Sequence, residues 1–93
     1  MRKKMTRKMI SEMFEDENPD ALLADGFEDA FIGIARIFTR ALACYDYEQC
    51  INTLVLRDRM SREDAVEFFS FNVQGAYVGE NTPVFLTRTD GRF

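Results

Sequence analysis

The sequence predicts a small α+β domain: a short antiparallel sheet of two or three strands packed on two helices, preceded by a separate amphipathic helix. Three observations carry this expectation. Residues 46–57 and 61–76 each join a helix start signal to an apolar stripe of helical period. Residues 30–45 are instead β-branched, aromatic and small, the texture of strands. Residues 2–15 repeat apolar side chains at helical spacing, but their charge sets them apart from the rest.

A chain of 93 residues makes one domain. It buries only about 60–65% of its unfolded surface, so its core is thin and a second copy or a partner would help. Nine phenylalanines and an apolar fraction of 46% argue for a folded chain rather than a disordered one. No apolar run approaches the roughly 20 residues that span a bilayer. The basic residues 1–8 resemble the start of a signal peptide. Glu12, Glu15, Asp16 and Glu17 follow where its apolar segment belongs, so a cytoplasmic location is expected.

Residues 2–15 place Met5, Met9, Ile10, Met13 and Phe14 on one methionine-rich stripe, a candidate surface for a partner or a second copy. Bases stand at the start of this helix and acids at its end, against the helix dipole, so local electrostatics do not support it. Next, Asn18-Pro19-Asp20 reads as a second helix start, with Asn18 as cap, and Gly26 as the stop, Phe27 covering Leu22. Residues 31–38 and 41–45 read as a hairpin, although the Asn-Gly or Asp-Gly of a firm turn is missing. A helix over 28–43 is the rival reading. Small Gly33 and Ala35 suggest a strand face closely approached by another element.

Asp46 caps the next helix, with Gln49 at the third position and Tyr47, Cys50, Ile51, Leu54 and Val55 on its buried face. Ser61 caps the last, with Glu63 and Asp64 in its first turn. Ala65, Phe68, Phe69, Asn72, Val73 and Ala76 form its expected stripe, which Val66 and Phe71 widen. Pro83–Thr87 is expected as a third strand and the last four residues as a loose tail.

Few of these residues carry recognisable chemistry. The chain has no histidine, so a Ser-His-Asp or Cys-His site is excluded within it, as is a four-ligand zinc site from Cys44 and Cys50 alone. The two cysteines read as buried thiols, with a disulfide as the alternative. No nucleotide or other cofactor fingerprint is present. Carboxylate chemistry would require Asp46, Glu48 and Glu80 to gather near the tyrosines. Arg2, Lys3, Lys4, Arg7 and Lys8 form a basic patch that suits phosphates or an acidic partner. The net charge of −4 makes nucleic acid the less favoured of these. Asp46, Asn72, Tyr77, Glu80 and Asn81 are the candidates for a polar pocket, Asn72 because it falls in an apolar stripe; a satisfied core amide is the simpler role for it.

Asp25-Gly26-Phe27, Asp29-Ala30, Ile32-Gly33, Tyr45-Asp46-Tyr47, Cys50-Ile51, Asn72-Val73, Gly75-Ala76-Tyr77-Val78-Gly79-Glu80 and Thr82-Pro83 occur in an order that resembles a family of small uncharacterised bacteriophage proteins. The resemblance covers residues 25–86 and departs from the family's turn at 36–41. It implies a phage product in the bacterial host cytoplasm and adds no catalytic residue. The resulting expectation is a non-enzymatic accessory protein that binds and modulates a host or phage macromolecule and forms a homo-oligomer. A different class, a small-ligand protein that sequesters a nucleotide signal of bacterial defence, is the alternative.

Overall fold

The computed structural model describes residues 4–89. It has the α+β architecture, built from α1 (Arg7–Met13), β1 (Phe31–Ile37), β2 (Arg40–Asp46), α2 (Tyr47–Arg57), α3 (Arg62–Asn72) and β3 (Val84–Leu86). β1 and β2 form the hairpin, so this region is a strand pair and not a helix. β2 is central, between β1 and β3. β3 lies parallel to β2, with Cys44 opposite Val84 and Asp46 opposite Leu86, so the sheet is mixed rather than wholly antiparallel. Parallel neighbours need a long crossover, and here α2 and α3 supply it.

The two main helices begin where side-chain chemistry starts them. Asp46 Oδ1 accepts from Gln49 N–H at 3.2 Å, and Ser61 Oγ accepts from Asp64 N–H at 3.1 Å. Each bond satisfies one of the amides a helix start leaves without a partner. α2 stops as Arg59 turns to φ 58 and Met60 N–H returns to Leu54 O at 3.4 Å. α2 packs on β2 and α3, burying Cys50, Ile51 and Leu54.

The core is aromatic. Phe69 of α3, fully buried, makes edge contacts with Phe27 (5.6 Å between centroids), Tyr47 (5.5 Å) and Phe85 (4.9 Å). Tyr45 of β2 meets Phe31 and Phe85 at 5.7 and 5.8 Å. Its phenol oxygen accepts Ala24 N–H at 2.9 Å, tying the loop before β1 to the central strand.

Three expectations are corrected. The amino-terminal helix is not separate: it spans only 7–13, starts at a Thr6 cap, and sends Ile10 and Phe14 into the same core as the sheet. Its unfavourable end charges explain its shortness, and core burial holds what remains. Asn18 starts no helix. Its Oδ1 accepts Asp20 N–H at 3.3 Å in a local turn, which competes with helix formation, and Leu22 is left exposed. Gly33 meets no close neighbour: a Cβ there would have nothing within 4 Å. Its φ of +154° accompanies the register shift between Phe31 and Gly33, so glycine serves a bulge.

With no helix before it, Gly26 is not a helix stop but a turn residue, with φ 92, and Arg57 Nη1 donates to its carbonyl at 2.8 Å. A Cβ would also come to 3.3 Å from Arg57 Nη1. Gly26→Ala is expected to lower stability by about 1–2 kcal/mol. Differential scanning calorimetry would record this as a Tm lower by roughly 4–10 °C; an unchanged Tm would contradict the strain.

Candidate interaction site

The hairpin's last pair, Ile37 with Arg40, leaves Phe38 and Thr39 as a two-residue loop. Such loops match the strand twist by taking positive φ, which favours Gly, Asn or Asp. Phe38 occupies that position with φ 56, and it is 99% exposed. Ile37 beside it is half exposed. On either side, Arg36 is ion-paired with Glu17 and Arg40 with Glu80. The loop therefore presents an apolar end between neutralised charges. Burial gives no reason for a phenylalanine here. The missing turn residue in 36–41, read from the sequence as weakness of the hairpin, was the available signal for this site.

The outer face of α3 is the second apolar surface. Only Ala65, Phe69 and Val73 of its expected stripe are buried, with Val66 half-buried. Phe71 is 75% exposed, Phe68 is 38% exposed, and Asn72 and Ala76 are also exposed. The helix thus buries one narrow stripe, not two.

The five polar candidates do not form one pocket. Asp46 caps α2 and accepts from Arg88 Nε at 2.8 Å. Asn72 lies on the surface, where its side chain donates to Phe68 O at 3.2 Å, so it is not a core amide and does not join the other four candidates. Tyr77, half-buried, donates its O–H to Leu23 O at 3.2 Å. Glu80 is in the ion pair with Arg40. Asn81 Oδ1 accepts from Asn18 Nδ2 at 3.0 Å, and that same amide donates to Ala41 O at 2.9 Å. Asn81 therefore sits at the Ala41 end of β2 and Asp46 at the other, about 17 Å away along an extended strand. What Asn18 and Asn81 do is join the loops before β1 and β3 to the central strand.

The candidate partner stripe is divided. Ile10 and Phe14 are core residues and unavailable to a partner; Met5 and Met9 are half-buried, and Met13 is 45% exposed. Of the basic patch, Arg2 and Lys3 lie outside the described residues, Arg7 is ion-paired with Asp25, and Lys4 and Lys8 are exposed. Glu12 and Glu15 stand with Arg7 and Lys8 around one surface hollow, so the described part of the patch is of mixed charge.

The chemistry available is limited. Cys44 and Cys50 are free, buried thiols. Burial raises the pKa of both, that of Cys50 up to about 12, which disfavours the thiolate a nucleophile needs. Glu48 is held by Arg62, Glu80 by Arg40 and Asp46 by Arg88, so the three carboxylates are separately neutralised. Among the described residues, no group of three or more Cys, Asp or Glu is placed to hold a metal ion, and no helix is long and apolar enough to cross a membrane. Comparison with known protein families, with curated proteins and with solved structures finds no match.

Proposed function

We propose that this chain is a small non-enzymatic accessory protein of a bacteriophage that binds and modulates a host or phage macromolecule in the host cytoplasm. The resemblance over residues 25–86 supports the origin. One observation carries the binding role: Phe38, an aromatic side chain fully exposed at a position that backbone sterics reserve for smaller residues. An L residue in the left-handed region costs about 1–2 kcal/mol, and this ring recovers nothing by burial. Strain of this kind, kept where the fold does not use it, marks an intermolecular contact.

The test separates stability from binding. Phe38→Asn is expected to raise Tm by a few degrees, because Asn tolerates the left-handed region. The same variant is expected to lose the protein that the tagged wild-type chain captures from phage-infected bacteria. Unchanged capture, or a lower Tm, would remove the hairpin tip from this role.

A further inference from the structure

We propose that the outer face of α3 is a groove for a cationic amphipathic helix of a partner protein. The groove encloses about 330 Å³ and is lined by Met60, Asp64, Glu67, Phe68, Phe71 and Asn72. Helical spacing sets Asp64, Glu67, Phe68 and Phe71 along one stripe, over two turns. The inward stripe of Ala65, Phe69 and Val73 is already complete, so the outer phenylalanines are not needed to hold α3.

Charge identifies the occupant. Asp25, Glu17, Glu80, Asp58, Glu48 and Asp46 each have an arginine partner. Asp64 and Glu67, like Glu12, Glu15, Asp16, Asp20, Glu28, Asp29 and Glu63, form no ion pair among the described residues; these two are the ones that line the groove beside Phe68 and Phe71. The Ser61 cap bond takes the Asp64 backbone N–H and does not involve its carboxylate. A helix that lays Leu or Met between the phenylalanines and turns Arg toward Asp64 and Glu67 satisfies both features. An arginine there also reaches the exposed face of Phe71, where the cation and ring attract. Met60 supplies an adaptable end wall. An acidic helix would meet two uncompensated carboxylates and be repelled. This surface is independent of the hairpin tip.

The probe is a fluorescein-labelled Leu/Arg amphipathic peptide of about fifteen residues, long enough to form helix. A Leu/Glu peptide of the same pattern is the control. Fluorescence anisotropy with the full chain is expected to show the Leu/Arg peptide binding roughly tenfold tighter at low salt. Asp64→Asn with Glu67→Gln should remove most of that preference and its salt dependence, and Phe71→Ser should weaken binding roughly fivefold. Phe38→Asn should leave it unchanged. Circular dichroism confirms folding, and if Phe71→Ser misfolds, the carboxylate variant decides. Equal binding of both peptides, or wild-type binding by the folded variants, would overturn the proposal. So would a wild-type dimer that Phe71→Ser converts to monomer, since a second copy would then occupy the face.

Discussion

Phe69→Ala is expected to destabilise the domain by about 3–5 kcal/mol, the usual loss when a buried phenylalanine is truncated. The ring joins Phe27 of the loop before β1, Tyr47 of α2 and Phe85 of β3 to α3, so four parts of the chain lose a shared contact together. A domain of this length has roughly 5–14 kcal/mol of stability in total, so about a fifth or more would be lost. Urea unfolding should show a much lower midpoint. Phe71→Ala, two positions along the same helix, should change stability by no more than about 0.5 kcal/mol, because that side chain is 75% exposed. Similar losses in the two variants would mean that the assignment of inner and outer faces is wrong.

Raising the pH above about 9 is expected to unfold the protein progressively. Burial pushes the Tyr45 phenol up to about 12 and the Cys50 thiol up to about 12, and it raises Cys44 and Tyr77 as well. In the unfolded chain tyrosine ionises near 10 and cysteine near 8.5. Between the unfolded and folded values the native state holds protons that the unfolded state has released. Stability is therefore full below about pH 8.5 and falls as pH rises toward 12. Tyr45 alone accounts for a loss of order 2–3 kcal/mol over that window. Urea midpoints measured from pH 7 to 11 should be level at first and then decline. Tyr45→Phe should be less stable at pH 7 by about 1–3 kcal/mol, since Ala24 N–H loses its buried acceptor, yet show a shallower decline above pH 10. A midpoint independent of pH up to 11 would contradict the buried state of both groups.

The elements legible in the sequence are those made by near neighbours. Asp46 and Ser61 announce their helices because a cap bonds an amide three positions away, and both bonds are present. The inner face of α2 follows from spacing alone, and Cys50, Ile51 and Leu54 are buried as that spacing requires. The strand at 31–37 follows from its β-branched and aromatic content, and that at 40–46 from its short apolar run. The apolar stripe of α3 was misleading because phenylalanine has the same hydrophobicity inside or outside. Which of Phe68, Phe69 and Phe71 is covered depends on how many elements reach that helix, and only one side is covered.

The hairpin loop ran the other way. A weak turn signal at Phe38-Thr39 counted against a hairpin that nevertheless forms, because β2 pairs with β1 along its length and is fixed by β3 on its other edge. The strain at Phe38 then becomes visible as a property of one residue.

By itself the sequence determined the starts of α2 and α3 and the buried face of α2, consequences of bonds and spacing within a few residues, and it favoured a strand pair over a helix and thiols over a disulfide. Tertiary structure alone decided that β3 runs parallel to β2, that Ile10 and Phe14 complete the core, and that Asp46 and Asn81 stand at opposite ends of one strand. Each of those depends on contacts between residues far apart in the chain, where local spacing carries no information about which surfaces meet.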